Sequence, residues 1–192
     1  MINCVFSGNR AQFAGGGMYN ASDLAHHHAP TLVNCTFSEN VCTGSLGGAI
    51  RNYGASLNMS NSVLWGNQAT NGPELAIAQV YVVANISYCD VEGGMASVHT
   101  QSGPTINWGP ANIALDPNFV DADGDDDVPG TLDDDLRLRG SSPCIDAGDN
   151  SSVPADVVDL DNDDDTAEPT PIDRDGDARI EDGDMDSNAV VD

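Results

Sequence analysis

The feature that most constrains this chain is an internal repeat. Residues 32–40 return 27 positions later as residues 59–67, and again after a further 27 as residues 86–94. An earlier copy places Phe6 31 positions before Phe37. A period near 27 residues that recurs in four copies indicates units stacked on one another rather than a single closed core.

Each copy carries small or apolar residues at every second position, which is the period of a β-strand and not of a helix. Between them lies a column of mainly Asn residues, predicted to belong to a polar face and to form an amide ladder. Parallel stacking of such strands gives a β-helix, whose coils lie about 4.8 Å apart. The predicted inward positions are Ile2, Cys4, Phe6, Val33, Cys35, Phe37, Ser60, Ser62, Leu64, Ser87, Cys89 and Val91, and the polar column is Asn3, Asn34, Asn61 and Tyr88.

The charge balance separates two regions of the chain. The 31 acidic residues face 6 Arg and no Lys, for a net charge of −25, so nucleic acid and anionic membranes are poor partners. Residues 1–110 carry a net charge of −3 and residues 111–192 a net charge of −22. Because stacked carboxylates would repel one another, we predict β-helix coils over 1–110 and terminal coils or a cap, with an irregular acidic region, over 111–192.

No apolar run reaches transmembrane length, so the sequence predicts no membrane insertion, and we expect a monomer. The five cysteines lack the paired spacing of zinc or redox motifs. Cys4, Cys35 and Cys89 share one repeat position, where the third copy has Ser62. We interpret them as small buried core residues, with a disulfide framework as the alternative.

One coil is longer than the others by five residues, and the excess contains His26, His27 and His28. Extra residues leave a solenoid as a loop on one side, and such loops often form a binding face. Adjacent histidines are a candidate transition-metal site if ligands and supporting groups come from elsewhere. The alternative is an exposed polar loop.

Asp occupies every second position in three clusters, and hard oxygen ligands on turn-rich backbone suit Ca²⁺. The third cluster resembles an EF-hand loop that starts at Asp173, although Ala178 replaces the sixth-position Gly and Asp184 replaces the closing Glu. The alternative is a solvated acidic tail. The candidate calcium ligands are Asp121, Asp123, Asp125, Asp127, Asp159, Asp161, Asp163, Asp173, Asp175, Asp177 and Asp184.

Two resemblances rest on these residues. Phe-Ser-Gly-Asn at 6–9, Phe-Ser-Glu-Asn at 37–40 and Gly-Gly-Ala-Ile at 47–50 resemble the repeats of polymorphic outer-membrane proteins, which are surface-exposed right-handed β-helices. Residues 115–121, 142–148 and 173–179 resemble the choice-of-anchor Q domain of secreted bacterial β-helix proteins. The resemblance implies an all-β, right-handed, pectin-lyase-like solenoid outside a bacterial cell. It also implies a fragment, with the export signal and anchor beyond the residues given.

The function that this reading predicts is a secreted or cell-surface structural or adhesion protein, stabilised by calcium, with carbohydrate or another surface ligand as its partner. The rival is a polysaccharide lyase or glycoside hydrolase of the same fold. A lyase needs a basic residue in a groove, and the repeats offer only Arg10 and Arg51. A hydrolase needs two carboxylates about 5 to 9.5 Å apart, for which Asp90 and Glu92 are conceivable.

No catalytic residue is assigned, because no constellation of acid, base and stabilising groups is visible in the sequence. The aromatic residues fit either a sugar-binding strip or packing between coils. They are Trp65, Tyr53, Tyr81 and Tyr88.

Overall fold

The computed structural model describes residues 1–22, 28–159 and 164–170, and the backbone of two strands at 180–181 and 190–191. Among these residues, no helix combines the length and the apolar character needed to cross a membrane. Apart from two short 3-10 helices, at Gly94–Ser97 and Asn150–Ser152, the regular structure of the described residues is β.

Three parallel four-stranded sheets form the body of the protein. The first sheet contains β1 (Val5–Ser7), β5 (Thr36–Ser38), β9 (Val63–Trp65) and β12 (Asp90–Val91). The second contains β3 (Met18–Ala21), β7 (Ile50–Tyr53), β10 (Leu75–Ala78) and β13 (His99–Gln101). The third contains β4 (Thr31–Val33), β8 (Leu57–Ser60), β11 (Val83–Ser87) and β14 (Thr105–Trp108). A shorter parallel pair, β2 (Arg10–Ala11) and β6 (Val41–Cys42), lies between the first two sheets along the chain.

The chain visits the three sheets in turn and then returns to the first, so the fold is a parallel β-solenoid of about three turns. The register reproduces the sequence period, because Phe37 lies opposite both Phe6 and Leu64, and Met59 lies opposite both Leu32 and Ile86. The predicted all-β parallel stack is therefore confirmed.

The core runs along the axis of the stack. Its largest fully buried side chains come from all three sheets and include Leu32, Phe37, Ile50, Leu57 and Ile77. The rings of Phe6 and Phe37 stack with centroids 4.5 Å apart and planes 4° from parallel. Equivalent residues of neighbouring coils thus touch directly, which makes coil-to-coil contact the main apolar interaction of the fold.

The column Asn3, Asn34, Asn61 and Tyr88 departs from its prediction in part: Asn34 Nδ2 donates to Asn3 Oδ1 at 3.3 Å, as in the predicted amide ladder, but the column does not lie on a strand face. These residues have φ of 54°, 53°, 47° and 52°, so they form left-handed corners between the third and first sheets rather than the polar face of one continuous strand. Asn tolerates this conformation better than most residues. The corner interrupts the strand, so the alternation of inward and outward side chains before it does not continue in phase after it. Before the corner, Leu32, Met59 and Ile86 therefore point into the core, and their neighbours Ser60 and Ser87 are only half-buried.

The stack ends with a bridge between Ile113 and Asp90, after which the chain folds back along the outer face of the first sheet. Ser7 Oγ donates to Asp134 Oδ2 at 2.8 Å, and Asn61 exchanges two hydrogen bonds with the backbone of Asp149, at 2.9 and 3.1 Å. The folded-back segment contains an antiparallel pair, β15 (Phe119–Asp121) with β16 (Asp135–Leu138). A second antiparallel pair follows later in the chain, β17 (Ile180–Glu181) with β18 (Val190–Val191).

Candidate functional site

An open groove of about 620 Å³ includes residues from the first sheet, from the corner after it and from the folded-back segment. One wall carries Glu39 and Trp65, and the other is built from residues 116–122 and 139–141. The groove combines two aromatic rings with carboxylate, amide, hydroxyl and guanidinium groups. Its lining residues are Glu39, Trp65, Asp116, Asn118, Phe119, Ala122, Arg139 and Ser141.

The coil wall follows from the repeat. Trp65 occupies an outward position of β9, opposite Ser38 in the preceding coil. Glu39 occupies the next corner with φ of 55°, where the neighbouring coil has Gly66. A β-carbon on Gly66 would collide with Oε1 of Glu39, so this glycine leaves the space in which the carboxylate lies. The wall therefore arises where two copies of the repeat differ.

The opposite wall is held by a hydrogen-bond network of its own. The Asn118 backbone N–H donates to Asp116 Oδ1 at 2.8 Å, and Asn118 Nδ2 donates to Ser141 Oγ at 2.7 Å. Arg139 Nε donates to the Phe119 carbonyl at 3.0 Å, and one Arg139 Nη donates to the Val120 carbonyl. Arg139 thus fixes the two chain segments that form this wall.

Negative charge accumulates around Glu39. Its partial burial raises the pKa of the carboxyl group, and the charges of Asp123 and Glu92 raise the pKa further. Glu92 itself is exposed and accepts a hydrogen bond from the Gly66 N–H at 2.9 Å. The groove therefore presents a carboxylate whose ionised form is disfavoured by its neighbours.

Asp90 lies beneath the folded-back segment and not in the open groove. It is 4% exposed, accepts from the Leu115 N–H at 3.2 Å and lies 3.3 Å from the Cys144 thiol. Burial raises the pKa of Asp90 to about 6 and that of Cys144 to about 12. Because Asp90 is covered and Glu92 is exposed, this carboxylate pair does not face one substrate-accessible groove.

A second polar system runs inside the coils at the corner between the first two sheets. Asn9 donates to Asn40 Oδ1 through its Nδ2 at 2.9 Å and its backbone N–H at 3.1 Å. Asn40 donates to Asn67 Oδ1 through the same two groups, at 2.8 and 2.9 Å. We call Asn9, Asn40 and Asn67 the interior ladder. It satisfies polar groups at the buried residues Asn40 and Asn67, and it begins at the exposed residue Asn9.

Glu74 closes the interior ladder. The equivalent position in the next coil is Gly94, which has no side-chain amide oxygen to accept a hydrogen bond from Asn67. Glu74 supplies the missing acceptor: Asn67 Nδ2 donates to Oε2 at 2.6 Å, and the Asn67 N–H donates to Oε1 at 3.2 Å. The side chain is 1% exposed, and burial raises the pKa of its carboxyl group to about 8.

The predicted histidine loop falls in the connection between the second and third sheets. Residues 22–30 link β3 to β4, whereas residues 54–56 make the same connection one coil later. His28 is exposed, and its carbonyl accepts from the Ser56 N–H at 3.0 Å. His26 and His27 lie outside the described residues, so the metal-site hypothesis stays a prediction.

The first acidic cluster begins at the end of β15, where Asp121, Asp125 and Asp127 are exposed and Asp123 is half-buried. The Asp123 carbonyl accepts from the Val128 N–H at 2.9 Å, which closes a turn. Within the described part of the chain, no three His, Cys, Asp or Glu side chains are arranged to hold a metal ion. Asp159 is described; the other candidate ligands are not: Asp161, Asp163, Asp173, Asp175, Asp177 and Asp184.

The two arginines of the repeats lie away from the groove lining. Arg10 is exposed in β2, whereas Arg51 in β7 is 3% exposed, with its guanidinium 5.6 Å from the centre of the Tyr53 ring and 3.4 Å from Gln101 Oε1. All five cysteines are free. Cys35 and Cys89 are buried and Cys4 is half-buried, as a small core position requires.

Sequence reasoning missed the groove and the closing carboxylate. Phe119 and Arg139 are distant in sequence from Trp65, and no periodicity predicts that they meet. Glu74 did leave a signal: it occupies the repeat position of Gly17 and Ala49, and it follows Asn67, the last Asn of the ladder, by seven residues in the same coil. A large acid in a column of small residues, beside a missing Asn, indicates a compensating pair.

The chain matches no known family of proteins, and no curated protein and no solved structure is significantly similar to it.

Proposed function

We propose that this protein is a secreted or cell-surface structural or adhesion protein that binds carbohydrate in the groove beside Trp65. The observation that carries the proposal is the composition of that groove. Trp65 and Phe119 offer faces for sugar rings, and Asp116, Asn118 and Ser141 offer polar atoms for sugar hydroxyls. The stack of coils holds one wall rigidly, which favours recognition of an extended ligand.

The finer proposal is a right-handed, pectin-lyase-like β-helix with repeats of the polymorphic outer-membrane type and a choice-of-anchor Q region. What supports it is the role of the repeated residues. The Phe of the Phe-x-x-Asn element stacks on its counterpart in the next coil, and its Asn forms a rung of the interior ladder. The complete element, which is present in the first two copies of the repeat, therefore has a structural role in both.

Calcium stabilisation of residues 121–184 remains part of the proposal, because the alternating carboxylates supply enough oxygen ligands. We expect Ca²⁺ to raise the melting temperature by several degrees, as a ligand that binds only the folded state does. Circular dichroism melting with EDTA and with added Ca²⁺ tests this. Identical melting curves would exclude a stabilising calcium site, and a response to Mg²⁺ of equal size would exclude selectivity for calcium.

The rival proposal, a polysaccharide lyase or glycoside hydrolase, has less support. Asp90 is covered, Arg51 is buried, and neither Arg10 nor Arg51 lines the groove. Release of reducing ends or unsaturated products from a panel of polysaccharides would overturn the non-enzymatic proposal. It would do so most directly if Asp90→Asn abolished the activity while the fold was retained.

The test of carbohydrate binding is a glycan array followed by calorimetry with the strongest ligand. Trp65→Ala removes the largest aromatic face of the groove, so we expect affinity to fall at least roughly tenfold. Phe13→Ala is the matched control, because Phe13 is 83% exposed and lies outside the groove. Equal affinity of Trp65→Ala and the unmodified protein would place the binding site elsewhere.

A further inference from the structure

The charges of the groove suggest what kind of glycan it takes. Glu39 and Asp116 line the groove, and partial burial, followed by the charges of Asp123 and Glu92, raises the pKa of Glu39. The surrounding segment, residues 111–159, has 13 acidic residues and only two arginines. A ligand that enters the groove therefore meets a predominantly negative potential.

Arg139 is the cationic side chain in the groove lining, and it offsets the negative potential less than an arginine with a free guanidinium would. Arg139 is exposed, but its Nε and one Nη donate to the carbonyls of Phe119 and Val120. These two bonds hold the wall together and occupy the Nε–Nη edge of the guanidinium, which leaves one of its two bidentate edges for an anion. An acidic sugar would thus face several carboxylates and a partly occupied arginine.

We propose that the groove selects glycans with free amino groups, that is, oligomers of cationic amino sugars, over neutral and acidic glycans. This rests on the proposed carbohydrate binding and names its substrate class. An ammonium group near Glu39 and Asp116 would replace repulsion between carboxylates with attraction, while the sugar rings stack on Trp65 and Phe119. A uronic acid in the same position would add to the repulsion.

The partial burial of Glu39 makes this preference local and not a property of the acidic surface as a whole. Exposed carboxylates are screened by salt within about 10 Å at about 0.1 M ionic strength, whereas half-buried ones are screened less. Glu39 is half-buried in the space left by Gly66. The preference for amino sugars should therefore weaken as salt is added. It should persist at salt concentrations that abolish attraction to exposed surface carboxylates.

The experiment compares three oligosaccharides of equal length by calorimetry with the full chain: oligoglucosamine, its fully N-acetylated form and oligogalacturonate. We expect oligoglucosamine to bind about tenfold more tightly than the N-acetylated form, and oligogalacturonate not to bind. Glu39→Gln and Asp116→Asn combined should remove most of that difference, so that oligoglucosamine and its N-acetylated form bind with similar affinity. Asp164→Asn, an exposed carboxylate outside the groove lining, is the matched control and should change nothing.

The outcomes separate the two proposals. Equal binding of the amino and N-acetylated forms, lost in Trp65→Ala, would overturn the charge selectivity and leave carbohydrate binding standing. Binding of none of the three, with a negative glycan array, would overturn both. Preference for oligoglucosamine that survives Glu39→Gln and Asp116→Asn together would mean attraction to the acidic surface at large, which contradicts a site in the groove.

Discussion

Among the described residues, two ladders of three Asn side chains each run along the solenoid, one inside it and one outside. The interior ladder joins Asn9, Asn40 and Asn67, of which Asn40 and Asn67 are 0% and 4% exposed. The exterior ladder crosses the third sheet, where Asn85 Nδ2 donates to Asn58 Oδ1 and Asn107 Nδ2 donates to Asn85 Oδ1, both at 2.7 Å. Asn85 and Asn107 are exposed.

The difference lies in how each ladder ends and not in its hydrogen bonds. The exterior ladder reaches water, which accepts and donates whatever the last amide leaves over. The interior ladder is buried at its Asn67 end, so water cannot complete the hydrogen bonds there. A hydrogen bond that is not made in a buried site costs about 1–3 kcal/mol for each group. Glu74 is present because that end needs an acceptor. A repeated polar residue inside a stack thus requires a dedicated terminator.

The strongest test of the comparison is Asn67→Ala. It removes the acceptor of both Asn40 donors, and it removes donors from the carbonyls of Phe37 and Trp65 and from Glu74. We expect the free energy of unfolding to fall by about 3–5 kcal/mol, because several buried groups lose partners at once. Chemical denaturation measures it. A loss below about 1 kcal/mol would show that the interior ladder tolerates unpaired groups.

The second test concerns the protonation of Glu74. Its pKa is about 8 in the folded protein and near 4.5 when unfolded, so the folded state holds the extra proton between these values. Its contribution to stability is therefore complete below about pH 4.5 and is lost as the pH rises towards 8. Between about pH 5 and pH 8 we expect a loss of roughly 3 kcal/mol.

Glu74→Gln is the matched variant, because it keeps one of the two oxygens that accept from Asn67 and cannot ionise. The difference in unfolding free energy between the two proteins, followed across pH, isolates Glu74 from Asp90, whose raised pKa gives a slope of the same sign in both. We expect Glu74→Gln to be the more stable protein at about pH 8. Parallel pH profiles of the two proteins would contradict a protonated carboxyl group at this site.

The smallest expected effect completes the comparison. Asn85→Ala breaks both hydrogen bonds of the exterior ladder, but the groups that lose a partner lie on half-buried Asn58 and exposed Asn107, where water can replace it. We expect a loss of no more than about 0.5–1 kcal/mol, with no dependence on pH. Thermal and chemical denaturation beside Asn67→Ala check it. Losses of similar size for the two variants would mean that burial does not distinguish the ladders.

The repeat predicted the stack, its period and the pairing of Phe6 with Phe37, because each follows from residues that recur at a fixed spacing. It placed the Asn34 column on a polar strand face, since strand alternation and a left-handed corner both put Asn between apolar residues. The groove escaped prediction for a different reason. Its second wall comes from residues 116–141, which do not repeat, and tertiary contacts such as Ser7 with Asp134 bring that segment against the first sheet.

The parallel strands have one further consequence, which concerns force. The hydrogen bonds between strands, and those of both ladders, run from coil to coil along the axis. A pull along the axis stretches them end-on and separates one coil from the next, whereas a pull across the axis loads the covalent backbone and shears many bonds together. A protein of this build resists lateral drag better than axial tension, so its direction of attachment decides how much load it bears.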